Sequence, residues 1–309
     1  MTATIEAPAI AGAVAAQDLA HSYGDRPALN GVSFSVADGE TFGVLGPNGS
    51  GKSTLFRILS TLMKPARGQA TIAGCDVASN PAEVRRRIGV VFQSQSLDRK
   101  LTVRENLEAQ GYLHGLSGAT LRGRIAEVLA RLGIADRTGD IAGTLSGGLK
   151  RRVEIAKALL HTPRVLLMDE PSTGLDPIAR RDLWQFVSEQ RVTVVLTTHL
   201  LDEADRCDRL MLLHKGMKVA EGSPAELKSR LSGDVVILDC ADPYAMKMML
   251  GLKFKVQVKE LAGAVRVEVP NGHRFIAEVI EAAQGAITSV TLHKPTLEDV
   301  FLECTGTQL

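Results

Sequence analysis

Glu40-Thr41-Phe42-Gly43-Val44-Leu45 runs without a break into Gly46-Pro47-Asn48-Gly49-Ser50-Gly51-Lys52-Ser53-Thr54, and helical spacing follows at Leu55, Ile58, Leu59 and Leu62. This order of strand, glycine loop and helix decides the fold class. Gly46-x-x-x-x-Gly51-Lys52-Ser53 is the P-loop pattern, in which main-chain N–H groups cradle phosphate oxygens. A side chain at Gly49 or Gly51 would obstruct that approach. The helix that the loop opens offers free N–H groups and a dipole favouring an anion. Lys52 is placed to reach β- and γ-phosphates, and the Ser53 hydroxyl to ligate Mg2+. The fixed positions coincide by chance in about one chain of this length in a hundred. The flanking strand and helix separate the motif from such a chance glycine turn.

Downstream, residues 164–168 read as a buried strand, apolar from Val165 to Met168, that ends in Asp169-Glu170. Strand C-terminal ends line the ligand crevice of an α/β sheet. Adjacent side chains on an extended strand point opposite ways, so the two acids can divide the work. Asp169 would hold the metal through its shell, and Glu170 would sit against an attacking water as general base. By itself such a strand end reads equally well as a helix N-cap. Leu145-Ser146-Gly147-Gly148 precedes a basic amphipathic helix from Leu149 and offers a second anion-binding helix start, which alone would read as a capping loop.

The remaining patterns are strands near 15–21, 31–36, 69–72, 89–92 and 193–197, with helices at 81–87, 102–113, 119–132 and 178–189. Alternating strands and helices imply a parallel sheet covered on both faces. The strand-free stretch of about 96–150 predicts an inserted helical subdomain. Beyond Ser223-Pro224 the composition shifts. Strands at 235–239, 254–258, 265–269 and 287–292 and helices at 243–250, 275–283 and 297–303 give a βαββαβ order compatible with a small ferredoxin-like α+β domain. The expected organisation is a flexible tail over 1–15, a nucleotide-binding domain over 16–228 and an accessory domain over 229–309.

The 309 residues carry 36 Lys plus Arg against 35 Asp plus Glu, a balance unlike the basic excess of a nucleic-acid binder. Cys75, Cys207, Cys240 and Cys304 are far apart, which indicates neither a zinc site nor a disulfide framework and fits a reducing cytoplasm. Each reads as a small buried apolar side chain. No apolar run approaches the ~18 residues of a membrane helix, and the Ala-rich start, with Glu6 and Asp18, does not read as a secretory signal.

With the signature-like Leu145-Ser146-Gly147-Gly148 in place, residues 16–225 resemble the nucleotide-binding subunits of ABC transporters. The resemblance implies an ATPase core with antiparallel β and helical subdomains, using ATP and Mg2+. It also implies a head-to-tail homodimer, or a dimer with a related ATPase subunit, in which Ser146, Gly147 and Gly148 contact ATP held by the other copy. Tyr23 of His-Ser-Tyr-Gly then corresponds to the aromatic stacked on adenine. Gln93 of Val-Val-Phe-Gln corresponds to the switch glutamine reaching Mg2+ and water. Asp176 of Ser-Thr-Gly-Leu-Asp belongs to the loop crossing the interface, and His199 of Leu-Thr-Thr-His is the switch histidine that meets the γ-phosphate and holds Glu170. Leu149 departs from the commoner Gln.

Lys294-Pro295-Thr296-Leu297-Glu298-Asp299-Val300-Phe301-Leu302 and Asp98-Arg99-Lys100-Leu101-Thr102-Val103-Arg104-Glu105-Asn106 resemble the daunorubicin-resistance and nodulation-factor exporter group. That points to export, by a cytoplasmic subunit held peripherally on the inner face of the cell membrane through a separate transmembrane permease. The rival readings are ABC ATPases that act on ribosomes, which carry two such domains per chain, and DNA-repair relatives, which need a coiled coil that roughly 100 residues between loop and signature cannot hold.

Overall fold

A computed structural model describes residues 12–189, 192–231, 233–261, 263–283 and 285–307. The chain divides into two units, Met1–Gly222 and Ser223–Leu309. Most of the expected tail lies outside the described residues. Its last part does not: Val14 and Ala15 already belong to a strand, pairing with Val36 and Ser35 on one side and Ile72 and Thr71 on the other.

The first unit opens with β1 (Val14–Tyr23), β2 (Arg26–Val36), β3 (Thr41–Leu45), α1 (Lys52–Leu59), β4 (Arg67–Ile72), β5 (Cys75–Asp76), α2 (Pro81–Arg87) and β6 (Ile88–Val91). Three helices follow, α3 (Val103–Leu113), α4 (Gly118–Arg131) and α5 (Gly147–Leu159), with no strand between them. The unit closes with β7 (Val165–Asp169), α6 (Pro177–Glu189), β8 (Thr193–Thr198), α7 (Leu201–Ala204), β9 (Arg209–His214) and β10 (Met217–Gly222). One sheet is antiparallel, in the order β2-β1-β4-β5, and the other runs β10-β9-β3-β8-β7-β6. In the second sheet β3, β6, β7, β8 and β9 pair in parallel, and β10 is an antiparallel edge.

The β9–β10 hairpin was not among the expected elements. Its turn places Lys215 and Gly216 at φ 47° and 77°, a two-residue connection with both residues left-handed.

The apolar run at β7 is explained by two cores. Val165 and Leu167 enter one, shared with α1 and the antiparallel sheet, while Leu166 and Met168 enter the other, with α4, α5 and α6. A central parallel strand buried on both faces cannot alternate polar residues. The helical region is pegged by Asn106. Its amide donates to the carbonyls of Asp98 and Thr102 at 3.0 Å each, and its oxygen accepts from Asp98 N at 2.9 Å. Thr102 and Glu105 cap α3 reciprocally.

The second unit contains α8 (Pro224–Ser229), β11 (Asp234–Cys240), α9 (Pro243–Phe254), β12 (Val258–Leu261), β13 (Ala264–Val269), α10 (Gly272–Ala283), β14 (Ile287–His293) and α11 (Leu297–Thr305). Its sheet runs β12-β13-β11-β14, antiparallel throughout, which is the ferredoxin-like topology. The division falls at Gly222 and not at 228, because α8 packs on α11. The strand expected at 254–258 is a second correction. Phe254 ends a helix with its ring against Phe275 at 5.4 Å, Lys255 turns left-handed at φ 55°, and β12 begins only at Val258. Phe254, Val256 and Val258 all pack on the core, and that packing produced the period-two pattern. Of the cysteines, Cys207 and Cys240 are buried as expected, whereas Cys75 is half-buried and Cys304 exposed.

His161, just past α5, stacks on His114 at 3.7 Å between ring centroids. Its Nε2 lies 2.9 Å from the Ile88 carbonyl oxygen and donates to it, and Nδ1 is buried without a partner. Burial, with His114 and Arg124 nearby, depresses its pKa to about 4. The folded state therefore favours neutral His161. This contribution is intact above the unfolded pKa of about 6.5 and is lost as pH falls from there toward 4. Urea midpoints at pH 7.5 and 4.5 should fall less far apart in His161→Gln than in the wild type. An equal drop in both proteins would remove His161 as a cause of acid sensitivity.

Candidate functional site

β3 delivers the chain to the loop at the C-terminal edge of the parallel sheet. Gly46 is needed there because a Cβ would lie 2.3 Å from the Leu213 carbonyl oxygen. Gly51 is left-handed at φ 109°, and a Cβ would lie 2.4 Å from the Ala28 carbonyl oxygen. Gly49 is also left-handed, at φ 79°. The protein backbone itself, as well as any ligand, thus excludes a side chain at Gly51. Gly51 caps α1 without a side-chain hydrogen bond, which leaves the first-turn N–H groups for an anion. Lys52 Nζ donates to the carbonyls of Gly46 at 2.6 Å and Pro47 at 3.1 Å. Burial lowers its pKa, while Glu170 and Asp169 partly offset that.

Tyr23, Asn48, Gly49, Gly51, Lys52, Ser53, Thr54, Gln93 and Glu170 line one cavity of ≈ 400 Å³, joined by Arg26, Pro27 and Ala28. Tyr23 is half exposed, its ring edge-on to His21 at 5.1 Å. Pro47 and Ser50 complete the loop, with Ser50 N donating to the Pro47 carbonyl at 3.2 Å.

Four groups converge on Glu170. Gln93 Nε2 donates to Oε2 at 2.9 Å, and Thr173 Oγ1 donates to the same oxygen at 3.3 Å. Lys52 Nζ is 3.7 Å from Oε1 and His199 Nδ1 is 3.2 Å from it. The His199 contact lacks hydrogen-bond geometry and is a close electrostatic approach. His199 sits on a loop held by buried Glu203, which accepts from the hydroxyls of Ser172 and Thr198. Glu170 is itself left-handed at φ 45°. The two acids therefore diverge by a turn after the strand, not by strand alternation alone.

Thr197 serves both acids. Its hydroxyl donates to Asp169 and accepts from Glu170 N at 3.1 Å. Burial raises the Asp169 pKa, the Thr197 hydrogen bond opposes that, and Glu170 adds to it. Two crowded carboxylates beside one ammonium suit a cation. No group of three or more His, Cys, Asp or Glu that could by itself hold a metal ion occurs among the described residues. A metal here would take hydroxyl, water and phosphate oxygens, as Mg2+ does.

Ser146, Gly147, Gly148 and Asp176 line no part of this cavity. Ser146 caps α5 by accepting from Leu149 N at 3.4 Å, and Asp176 caps α6 by accepting from Ile178 N and Ala179 N at 3.0 and 2.9 Å. They neighbour one another: a Cβ on Gly148 would meet Ala179 at 2.9 Å, and one on Gly147 would lie 3.9 Å from the Gly174 carbonyl oxygen.

Arg151, Glu154 and Thr197 escaped the sequence reading. The helix from Leu149 reads as basic and amphipathic without singling out Arg151 and Glu154, yet with Ile155 and Ala158 they follow the i, i+3, i+4, i+7 spacing of a buried stripe. That spacing was the signal that could have found them.

Residues 29–173 match the family described as ABC transporter, and residues 222–305 match the C-terminal domain described for DrrA1-3-like ATP-binding proteins. A daunorubicin resistance ATP-binding protein of Streptomyces coeruleorubidus is 40% identical over 92% of this chain and 93% of its own length. A Nod factor export ATP-binding protein of Rhizobium sp. (strain N33) is 38% identical over 93% and 95%. Among solved structures, an ATP-binding subunit of an ABC transporter matches with TM-score 0.64 and 32% identity over 70% of this chain and 92% of that one. A dimeric bacterial ABC transporter cassette matches with TM-score 0.62 and 30% identity over 68% and 98%.

The packing at Gly51 makes a direct prediction. Gly51→Ala should lower the melting temperature by at least about 4 °C through backbone strain and clash. Gly123→Ala, in open space on α4, should raise it slightly. Equal melting temperatures for the two variants would contradict the packing described for the loop.

Proposed function

The chain belongs to the ABC transporter ATP-binding subunits, and from that membership we propose that it is the ATP-hydrolysing motor of an exporter, working as a dimer beneath a separate permease. It is an ATPase, and cassettes of this family function as dimers with a membrane partner. The observation that carries the reading is the convergence of Gln93, His199 and Lys52 on Glu170 beside a phosphate-binding loop.

Tyr23 stacks on the adenine of ATP. The N–H groups of residues 46–54 bind its phosphates, and Lys52 exchanges its loop carbonyls for β- and γ-oxygens. Ser53, Gln93 and Asp169 would hold Mg2+, which supplies charge neutralisation on the phosphate oxygens. Glu170 accepts a proton from the attacking water, which Gln93 and His199 orient. The new P–O bond forms as the bond between the γ-phosphorus and the bridging oxygen breaks.

Ser146, Gly147, Gly148 and Asp176 form a second patch on the same chain, and it meets the triphosphate of the partner copy. Binding two ATPs closes the dimer, and hydrolysis lets it open.

No described helix is long and apolar enough to cross a membrane, and the permease of this reading is a separate chain. It docks at a cavity of ≈ 610 Å³ lined by Leu62, Arg85, Phe92, Ser96, Leu113 and Lys157, of which Phe92 and Ser96 lie on either side of Gln93 in sequence. Leu62 and Leu113 there are 63% and 82% exposed, so the groove offers apolar side chains to a partner. The cargo is a drug-like, lipid-like or glycan compound, and the motor sits on the inner face of the cell membrane. The comparisons disfavour action on ribosomes or DNA.

Glu170→Gln should lower turnover by about 10²–10⁴-fold while keeping ATP-dependent dimerisation; turnover at the wild-type rate would show that another group activates the water. In mixed dimers, Ser146→Ala should impair the site whose phosphate loop lies on the other protomer. A defect confined to the mutated protomer's own phosphate loop would argue against the shared site.

A further inference from the structure

We infer that Arg151 is a positioning residue for hydrolysis, holding the left-handed turn that presents Glu170 and the backbone that presents Gln93. The inference rests on the proposed roles of those two residues. Arg151 lies on the first turns of α5 and is 6% exposed. Its Nε donates to the Pro171 carbonyl at 2.6 Å. Nη1 donates to the Phe92 carbonyl at 2.6 Å and to Glu154 Oε2 at 3.0 Å, and Nη2 donates to the carbonyls of Asp169 at 3.5 Å and Glu170 at 3.4 Å. One planar guanidinium thus grips the backbone on both sides of the Gln93–Glu170 hydrogen bond.

A left-handed non-glycine residue persists only where its surroundings over-determine it. At Glu170 the amide side is held by Thr197, through its carbonyl and hydroxyl at 3.1 Å each. The carbonyl side is held by Thr173 N at 3.2 Å and by Arg151. Thr197 and Thr173 are neighbours of the turn, whereas Arg151 comes from the helix that Ser146 caps.

Glu154 extends the link. It orients Arg151, and its Oε1 accepts from Ser96 N at 2.6 Å, while Lys157 Nζ donates to the Ser96 carbonyl at 2.8 Å. Three residues on one face of α5 therefore clamp residues 92–96 at both ends. Arg151 does not line the nucleotide cavity, so its effect passes through Glu170 and Gln93. A lysine could not replace it, because a single ammonium cannot span four carbonyls and a carboxylate.

The test uses the full-length protein and separates binding from turnover. Arg151→Gln should lower kcat by about 10²-fold, the scale of a catalytic group misplaced by an ångström, while the Kd for a fluorescent ATP analogue and KM stay within about two-fold of the wild type. Arg151→Lys should fail to restore kcat. Glu154→Gln, which keeps the guanidinium, should give a smaller loss of the same kind and serves if Arg151→Gln does not fold. Arg152→Gln removes a contact to Asp182 and Leu132 on the same helix without touching any site carbonyl, so its kcat should be unchanged. Wild-type kcat in folded Arg151→Gln or Glu154→Gln, or equal losses in Arg151→Gln and Arg152→Gln, would overturn the inference alone. Full turnover in Glu170→Gln would overturn the reading of the site on which it rests.

Discussion

The end of β7 carries the heaviest constraint in the molecule. A strand buried on both faces must stop, release two carboxylates in different directions and leave no carbonyl stranded. The solution is a left-handed residue at Glu170, with the carbonyls of Asp169, Glu170 and Pro171 turned onto the Arg151 guanidinium. A buried guanidinium is tolerable because its donors meet four carbonyls and a carboxylate. The turn, the segment around Gln93 and the start of α5 are thereby one connected piece of backbone. A movement at any of them has to be accommodated by the others.

Electrostatics at the site follow from how few charges are shared by how many groups. One ammonium, at Lys52, faces two carboxylates in a partly buried crevice. Burial pushes the lysine pKa down and the Asp169 pKa up, so both groups are held against their solvation preference. A triphosphate accompanied by a divalent cation would relieve both, with anionic oxygens for Lys52 and the α1 N-terminus and positive charge for Asp169. The Thr197 hydroxyl, bonded to Asp169, opposes part of that strain.

The C-terminal unit shows a different use of charged residues. Arg266, 2% exposed, donates to Asp299 at 3.1 Å and to Glu268 at 2.6 Å, and Asp299 completes a capping box with Thr296 at the start of α11. Those contacts account for Thr296 and Asp299 in the 294–302 segment. The likeness of that segment to exporter ATPases is therefore carried in part by residues that anchor a helix. Lys294 is likewise structural, paired with Asp234 at 2.6 Å.

Local chemistry determined a great deal before any packing was known. The phosphate loop, the acidic strand end, the cap at Ser146 and the βαββαβ order were legible because each depends on residue types within a few positions of one another. The meeting of Gln93, Glu170 and His199 was legible only through family resemblance, since they lie on three separate segments. Tertiary structure alone decided the rest. It set the left-handed backbone at Glu170, the double duty of Thr197 and the burial of Arg151 and Glu154 on a helix that reads only as basic and amphipathic. It also made Phe254 the end of a helix where alternation had suggested a strand. In each of these cases a deciding partner lies on another segment, whether a backbone carbonyl or amide, a carboxylate or an aromatic ring, and backbone groups carry no signature that a sequence can display.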